Sequence, residues 1–295
     1  MSSRTRIVLI ICAVIAAAAL IAGVNIVFGP FGIVEGLRQM TYKESVRVPI
    51  LMYHNFSESG APEVTITADA FERHISALSD AGYTAVTFEQ LCDYARDGAL
   101  LPERPVVITI DDGYKSVYET AYPILEKYDM KATVFIIGVF HGEDLYKGNP
   151  YWQIIPHFGD AEAVEMASSG FLSIQSHSYD MHHYEPYEDD YREGSLRKRG
   201  ENRADYIEAF ESDFNKSASL IEPLTGEWPF VYSYPFGKHS RLSESLLKNM
   251  GVTVTVTTMS GVSVIARDVP QSLYRLKRLN VPGDMTAEEL LEMIG

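Results

Sequence analysis

Two adjacent carboxylates, Asp111 and Asp112, stand at the end of a run of β-forming residues, 106–110, and are followed directly by Gly113. The run predicts a buried strand, and the glycine predicts a sharp turn at its carboxyl end. That end of a strand is where α/β folds place their chemistry. Two ionised carboxylates beside an apolar core repel each other and lose hydration, which a bound cation would relieve. The pair therefore predicts a metal site, with a plain Asp-Asp-Gly surface turn as the alternative.

A histidine cluster follows a second apolar stretch, residues 171–174. His177, His182 and His183 are three of the chain's eight histidines and lie within seven residues. The neutral imidazole ring is a common metal ligand. His177 and His182 are five positions apart, which does not place them on one helical face, so we expect them to converge from a loop after a strand. One carboxylate and two imidazoles leave coordination positions open, as is typical of catalytic rather than structural metal sites.

Four segments share a pattern with one known family: PILMYH at 49–54, TIDDGY at 109–114, SHS at 176–178 together with His182, and YPFG at 234–237. In them the chain resembles the polysaccharide deacetylases, carbohydrate esterase family four, which share the NodB-homology domain. The resemblance runs from about residue 48 to the C-terminus. It implies a distorted (β/α) barrel that removes acetyl groups from N-acetylated sugars with the help of a divalent metal.

The same resemblance implies a role for individual residues. Asp112, His177 and His182 would bind the metal, Asp111 would be the general base, and the backbone N–H of Phe236 would stabilise the oxyanion. The residue types alone do not tell which aspartate binds the metal and which accepts a proton. Zn²⁺ is the expected ion, with Co²⁺, Mn²⁺ and Fe²⁺ as alternatives, because imidazole and carboxylate suit them all.

The sequence departs from the family pattern in two places. Many members carry an arginine where Ser233 stands here, so the usual brace on the catalytic base is missing or replaced. Many members also end with a Leu-x-His motif whose histidine protonates the leaving amine, and this sequence has no such motif. The general acid is therefore open among His54, His183 and His239, each of which could instead be a structural histidine. His54 is attractive because it ends the first predicted strand, on the same rim as the metal.

The N-terminal segment predicts a location. Residues 7–28 contain no charge and follow Arg4 and Arg6. At roughly 1.5 Å per residue, this helix would span a hydrocarbon core of about 30 Å. Basic residues before the segment favour a cytoplasmic N-terminus and an extracytoplasmic domain. A cleaved signal peptide, which would give a secreted protein, is the alternative. We expect a signal anchor at 1–28, a juxtamembrane linker at 29–47 and a catalytic domain at 48–295.

The rest of the sequence alternates strand-like and helix-like patterns, which predicts a mainly parallel sheet or barrel. Residues 185–202 are rich in charge and predict a solvated loop. Predicted strands cover 48–53, 83–87, 106–110, 133–137, 171–176, 230–234, 252–257 and 276–279, and predicted helices cover 68–80, 89–97, 117–128, 161–168, 205–222, 243–249 and 287–294. The formal net charge of −15 argues against nucleic-acid binding, which needs a basic face.

Taken together, these patterns predict a membrane-tethered, metal-dependent deacetylase acting on N-acetylglucosamine units of peptidoglycan, an exopolysaccharide or a chitin-like oligomer. A glycan-binding module with impaired catalysis is the alternative, motivated by the missing arginine and terminal histidine. An iron oxygenase triad is a third interpretation, which the paired aspartates disfavour. Aromatic residues near the motifs, among them Tyr114, could stack on sugar rings, and Trp152 could lie beside the cleft or anchor a loop. The sequence makes no prediction of oligomeric state.

Overall fold

The computed structural model describes residues 44–183 and 191–295. The predicted membrane segment, residues 7–28, lies outside the described residues, as does most of the predicted linker. Among the described residues, no helix combines the length and the apolar character needed to cross a bilayer. One compact unit spans Ser45–Gly295. Its first strand, Ser45–Val48, takes in the last three residues of the predicted linker, so the folded unit begins slightly earlier than expected.

Strands and helices alternate along the described chain. The strands are β1 Ser45–Val48, β2 Ile50–Tyr53, β3 Asn55–Phe56, β4 Thr65–Ile66, β5 Thr84–Ala85, β6 Pro105–Ile110, β7 Ala132–Ile136, β8 Leu172–Ser176, β9 Val231–Ser233, β10 Val254–Ser260, β11 Ser263–Ala266 and β12 Leu276–Asn280. The α-helices are α1 Ala68–Asp80, α2 Phe88–Asp97, α3 Tyr122–Lys127, α4 Asp160–Ser168, α5 Arg203–Thr225, α6 Arg241–Asn249 and α7 Ala287–Ile294. Each predicted element is present, with boundaries that differ by a few residues.

Seven strands close into a parallel barrel in the order β2, β12, β10, β9, β8, β7 and β6, with β6 pairing back onto β2. The short strand β5 adds to the beginning of β6. Strands β2, β6 and β7 are buried along their whole length, as parallel strands covered on both faces must be. The predicted barrel architecture is therefore confirmed, with seven strands in the closed sheet. All their carboxyl ends lie on one rim.

Smaller features were not foreseen. Strands β1 and β11 form an antiparallel pair outside the barrel, and β3 and β4 form a short parallel pair. The helix predicted over 117–128 begins as a π-helical turn, Val117–Ala121, before α3. Pro123 explains the wider turn, because its ring lacks an N–H and would clash with the carbonyl four residues earlier in a regular α-helix.

The charged segment predicted as a solvated loop is partly buried. In its described part, residues 191–202, the side chain of Arg192 is buried and lies 2.6 Å from a carboxylate oxygen of Glu201. Ser195 is fully buried, and its carbonyl accepts a hydrogen bond of 2.7 Å from the hydroxyl of Tyr206 in α5. The prediction failed here because opposite charges within the segment pair with each other, which allows a charge-rich sequence to pack against the domain.

Candidate metal centre and active site

The rim at the carboxyl ends of the barrel strands gathers the polar residues that the sequence singled out. Asp111 directly follows β6, His177 directly follows β8, Ser233 ends β9 and His54 directly follows β2. Because these strands are parallel members of one closed barrel, their ends converge although the residues are far apart in sequence. The sequence placed His54 and the aspartate pair on this rim, and the structure agrees.

Asp112, His177 and His182 come together in a buried cluster. The Oδ1 atom of Asp112 lies 3.7 Å from Nε2 of His177 and 3.7 Å from Nε2 of His182. One ligand atom from each residue lies within 4.8 Å of the others. Tetrahedral zinc with bonds of roughly 2.0–2.2 Å would hold its ligand atoms about 3.4 Å apart. The spacing of the three side chains therefore suits a small divalent cation.

The Oδ1 atom of Asp112 is buried and has no hydrogen-bond partner among the described residues. Leaving a carboxylate oxygen buried without a donor is costly, so the arrangement calls for a positive partner. Burial lowers the pKa of His182 to about 4, against the opposing effect of the Asp112 charge. The imidazole is consequently neutral at neutral pH, as a metal ligand must be. The donor set fits a divalent cation in both charge and protonation state.

The backbone of β9 fixes the orientation of His177. Its Nδ1 lies 2.8 Å from the carbonyl oxygen of Ser233. A carbonyl can only accept, so Nδ1 carries the proton and Nε2 of the neutral ring keeps its lone pair. That lone pair is on the side of Asp112, which is how hydrogen bonds outside a metal site orient its histidines.

A tight loop, rather than a helix, brings His182 back to His177. Ser178 has a positive φ of 82°, which reverses the chain immediately after His177. The carboxylate of Asp213 then accepts hydrogen bonds from the backbone N–H groups of Tyr179 at 2.9 Å and Asp180 at 2.7 Å. Asp213 lies on the buried face of α5. The structure thus supplies the convergence that the five-residue spacing required.

Asp111 lies beside His177, and both of its carboxylate oxygens also meet an arginine. The two terminal nitrogens of Arg278 lie 2.7 Å from Oδ1 and 2.7 Å from Oδ2 of Asp111, in a bidentate ion pair. Arg278 is fully buried and also donates to the carbonyl oxygen of Thr257 and to the hydroxyls of Thr109 and Ser233. From β12 it therefore reaches strands that are not its neighbours, across the interior of the barrel.

Arg278 contacts Asp111 and also Ser233, the residue that stands where many family members carry an arginine. A terminal nitrogen of Arg278 donates to Oγ of Ser233 at 3.0 Å. An arginine from β12 therefore reaches the position that the family's usual arginine would occupy. The sequence contained a signal for it. A charged residue within the predicted strand 276–279 must either face water or meet a buried partner.

The two aspartates differ in surroundings. Burial acts to raise the pKa of Asp111, but the positive charge of Arg278 and its hydrogen bonds to the carboxylate hold this pKa well below its usual value. Asp111 is therefore ionised with both oxygens bound by Arg278, and its Oδ2 still lies 3.7 Å from Nε2 of His177. Asp112 faces both imidazoles. The two aspartates, which residue type alone could not distinguish, therefore have different partners in the structure.

The turn after β6 depends on left-handed backbone. Asp112 has a φ of 74° and Gly113 a φ of 83°. Aspartate tolerates this region better than most residues, and glycine enters it without strain. A Cβ on Gly113 would lie 2.9 Å from a methyl group of Ile136 in β7. The glycine allows the turn to pack directly on the barrel, which places Asp112 beside the histidines.

The third motif forms a turn beside the same cluster. Phe236 follows Pro235 with a φ of 55°, and the N–H of Gly237 donates to the carbonyl of Tyr234 at 2.8 Å. The ring of Phe236 lies 4.2 Å, centroid to centroid, from that of His182. The turn is thus at the site, while the role of the Phe236 N–H stays a prediction.

The three candidate general acids have different environments. Nε2 of His183 donates to the carbonyl of Asp180 at 2.7 Å, and its Nδ1 accepts from the N–H of Arg192 at 3.2 Å, so both ring nitrogens serve the structure. His239 binds the carbonyl of Gly237 and stacks on a tyrosine. His54 is half-buried, and a proton on its ring would act to lower the pKa of both Asp111 and Asp112, against the larger opposing effect of burial. Of the three, His54 lies on the same rim as the aspartate pair and within electrostatic range of both carboxylates.

Sequence reasoning missed Asp213, although a signal was present. In the predicted helix over 205–222, Phe210, Phe214 and Ser217 define an apolar or small-residue face, and Asp213 falls on it. A carboxylate on the buried face of a helix needs donors from another element. Here those donors belong to the loop between the two histidines.

Known proteins resemble this chain in sequence. The family model described as polysaccharide deacetylase matches residues 99–255. A Bacillus subtilis protein assigned to the polysaccharide deacetylases, YxkH, is 30% identical over 83% of this chain and 75% of its own length. Poly-β-1,6-N-acetyl-D-glucosamine N-deacetylase from Staphylococcus aureus is 26% identical over 68% of this chain and 63% of the relative. The Escherichia coli enzyme of that name is 25% identical over 72% of this chain, which spans only 34% of that relative.

Solved structures share the barrel. A de-N-acetylase from Aggregatibacter actinomycetemcomitans has a TM-score of 0.70 and 23% identity, with 84% of this chain and all of that chain covered. IcaB from Ammonifex degensii has a TM-score of 0.68 and 20% identity, with 84% of this chain and 97% of that chain covered. These two likenesses concern the fold. The family model and the YxkH relative add a match in sequence to this match in fold. This chain is a member of the polysaccharide deacetylase family.

Proposed function

We propose that the protein hydrolyses the acetamide of N-acetylglucosamine units in a cell-envelope or extracellular polysaccharide, using a divalent cation held by Asp112, His177 and His182. One observation carries the proposal. A buried, unpartnered carboxylate oxygen lies 3.7 Å from two imidazole nitrogens, and a second, separately held carboxylate stands beside them. Two relatives bear the name poly-β-1,6-N-acetyl-D-glucosamine N-deacetylase, so that polymer is the first substrate to test.

The two carboxylates divide the work between them. When bound, a divalent cation lowers the pKa of water and polarises an acyl carbonyl. Asp111 is the base that accepts the proton of the attacking water, because it is ionised and its Oδ2 lies on the His177 side of the cleft. Arg278 holds both oxygens, which prevents the carboxylate from rotating to become a further ligand. The low pKa makes Asp111 a weak base, so the water must already be acidified before it can give up its proton.

Two further groups complete the reaction. The backbone N–H of Phe236, in the left-handed turn beside His182, is the proposed donor to the oxyanion. His54 is the proposed proton donor to the leaving amine, because it lies on the rim within electrostatic range of both aspartates. Both roles rest on position in the fold and on the family resemblance.

A glycan-binding module with impaired catalysis is the second candidate. This alternative was motivated by the absence of the family's third-motif arginine and of its terminal histidine. The bidentate contact of Arg278 with Asp111 removes the first reason, because the base is braced from another strand. Catalysis is therefore the better supported function, and turnover distinguishes the two.

The identity of the metal is part of the proposal. Two imidazoles and one carboxylate are compatible with Zn²⁺, Co²⁺, Mn²⁺ and Fe²⁺, and we place Zn²⁺ first. Reconstitution of chelator-treated protein with each ion, followed by acetate measurement, ranks them.

We also propose that residues 7–28 anchor the protein in the cell membrane with the barrel outside the cytoplasm, or that the domain is secreted if the segment is cleaved. The support is the uncharged stretch after Arg4 and Arg6. Protease added to intact cells should digest a membrane-bound barrel, and a secreted barrel should be recovered from the medium. A barrel found in the cytosolic fraction contradicts the proposal.

The decisive assay is acetate release from N-acetylglucosamine oligomers with β-1,6 linkage, from β-1,4-linked oligomers and from peptidoglycan, with and without chelator. We expect metal-dependent release from at least one. Asp111→Asn should abolish release, whereas Asp97→Asn, an exposed carboxylate at the end of α2, should not change it. Absence of release from all three glycans, or full activity of Asp111→Asn, overturns the proposal.

A further inference from the structure

A cavity of about 270 Å³ has in its wall Tyr114, the residue that directly follows the Asp-Asp-Gly turn. Aromatic rings of Tyr114, Phe140 and Tyr146 form much of its wall, and Ile154, Gln153 and His157 add to it. Small-ligand sites typically enclose roughly 300–1,000 Å³ and combine apolar walls with a few polar groups. The cavity is therefore near the lower end of that range, and its lining is of the expected kind.

The cavity wall is continuous with the candidate site. Tyr114 stands two residues after Asp112, and it pairs with His157 through an antiparallel backbone bridge. The two rings lie 4.9 Å apart, centroid to centroid. The charge of Asp112 also acts on His157, opposing the burial that lowers the pKa of this imidazole to about 4. The cavity wall is thus tied to the turn that carries Asp112, and one of its residues feels the charge of that carboxylate.

His157 carries a polar atom without a partner. Its side chain is 7% exposed, and its Nδ1 atom is buried with no hydrogen-bond partner among the described residues. Buried polar atoms in folded proteins are almost always hydrogen-bonded, so an exception points to a water or a ligand. The neutral ring has one donor and one acceptor nitrogen, which suits a hydroxyl group or an amide.

The wall is fixed before anything binds. The N–H of His157 donates to the carbonyl of Glu143 at 2.9 Å, and the N–H of Lys115 donates to the carbonyl of Pro156 at 2.7 Å. The N–H of Tyr146 donates to the carbonyl of Trp152 at 2.8 Å. These backbone bonds tie residues 143–157 to each other and to the turn after Asp112. Because the wall is already ordered, binding of a ligand there should cost little conformational entropy.

We propose that this cavity is a subsite for one pyranose ring of the polymer, next to the unit being deacetylated, and that His157 Nδ1 hydrogen-bonds that sugar. The inference rests on the proposed function for its substrate class. A pyranose has apolar C–H faces for aromatic walls and hydroxyl edges for a single polar group. Those requirements match a wall with three aromatic rings and one buried imidazole.

A binding test does not require turnover. The chain has two tryptophans, and the ring of Trp152 lies 6.0 Å, centroid to centroid, from that of Tyr146 in the wall. In the full chain carrying Trp228→Phe and Asp111→Asn, Trp152 is the single tryptophan reporter. A β-1,6-linked N-acetylglucosamine trimer should change its fluorescence. His157→Phe should weaken trimer binding about five- to tenfold, the worth of one hydrogen bond, and His157→Asn should retain most of it because its amide can replace Nδ1.

Kinetics with Asp111 intact separate the subsite from the metal centre. His157→Phe should raise KM for the trimer and leave the hydrolysis of a small acetyl ester within about twofold of the unmodified protein. Gln153→Phe, which fills the cavity from an exposed wall position, provides a second test if His157→Phe does not fold. It should weaken trimer binding by a similar factor.

The outcomes distinguish this inference from the proposed function. His157-dependent trimer binding without acetate release keeps the subsite and rejects the deacetylase. Normal acetate release with trimer binding unaffected by both His157→Phe and Gln153→Phe rejects the subsite alone. An equal loss of activity on the trimer and on the small ester also rejects it, because His157 would then act on the metal centre.

Discussion

Arg278 binds both carboxylate oxygens of Asp111, at 2.7 Å each, from a fully buried position inside the barrel. The contact gives two sequence neighbours different surroundings: Asp111 is held by a guanidinium, and Asp112 is left to face two imidazoles. Bidentate pairs of this kind fix geometry as well as charge. The arginine is a positioning residue for the proposed base.

We predict that Arg278→Met lowers both stability and activity. Removal of one partner of a buried ion pair leaves the other charge uncompensated, which costs about 3–5 kcal/mol. Loss of a correctly positioned base should lower kcat on the order of 10²- to 10⁴-fold. Chemical denaturation and acetate release measure the two effects. Arg275→Met is the control, because Arg275 is exposed and water screens its ion pair with the half-buried Glu244, which limits the contribution of that pair to about 1 kcal/mol.

A sharper version of that test moves the arginine from position 278 to position 233. Because Ser233 already lies 3.0 Å from the Arg278 guanidinium, Ser233→Arg in an Arg278→Ser background should recover part of the lost kcat. The measurement is acetate release by the single and double variants. If Arg278→Met and Arg278→Ser both retain full kcat, Arg278 does not position the base.

The glycine of the Asp-Asp-Gly turn gives the second prediction. Gly113→Ala forces a side chain into a left-handed conformation and against Ile136, so we expect a loss of about 2–4 kcal/mol. Gly82→Ala is the control, since Gly82 also has a positive φ but a Cβ added there would meet nothing within 4 Å. This change should cost only about 1 kcal/mol. Equal losses in denaturant titrations would show that the contact with Ile136 is unimportant.

A third prediction concerns the loop between the histidines. Asp213→Asn replaces one acceptor oxygen with a donor, so one of the N–H groups of Tyr179 and Asp180 loses its partner. The loop should then hold His182 less firmly, and we expect metal affinity to fall about 10- to 100-fold, as for other groups that orient ligands. Metal titration by calorimetry tests this, with the exposed Glu208→Gln of the same helix as control. Unchanged affinity would contradict it.

The pH dependence of stability follows from the same carboxyl group. Burial raises the pKa of Asp213 to about 6, against the backbone N–H groups that lower it. Between pH 4 and 6 the folded state therefore binds more protons than the unfolded state, so this group's contribution to stability falls as pH rises. The difference in unfolding free energy, unmodified protein minus Asp213→Asn, should decline by up to about 3 kcal/mol over that range and then level off. A constant difference from pH 4 to 7 would contradict the assignment.

The sequence predicted much of the fold because strands covered on both faces leave a direct pattern. The continuous β-forming run before Asp111 and the alternation of strands with helices identified the parallel barrel. The same logic placed Asp111, His54 and the histidine loop on one rim. These are local features, and each needed only its own segment of sequence.

What the sequence did not show depends on contacts between distant segments. Arg278 is 167 positions from Asp111, and Asp213 is 33 positions from Asp180. Each was visible as a charge on an apolar element, but nothing local indicates which partner such a charge meets. The burial of Arg192 was missed for a related reason, because its partner Glu201 belongs to the same charge-rich segment and makes the whole stretch look solvated.

The most direct test is the metal content of three proteins purified side by side: the unmodified chain, Asp112→Ala and Asp111→Asn. Elemental analysis after loading with Zn²⁺ and removal of excess ion should give about one ion per chain for the unmodified protein and for Asp111→Asn, and far less for Asp112→Ala. Asp111→Asn should hold its metal and yet release no acetate. A full metal complement in Asp112→Ala, or loss of the metal in Asp111→Asn alone, would contradict the division of roles between the two aspartates.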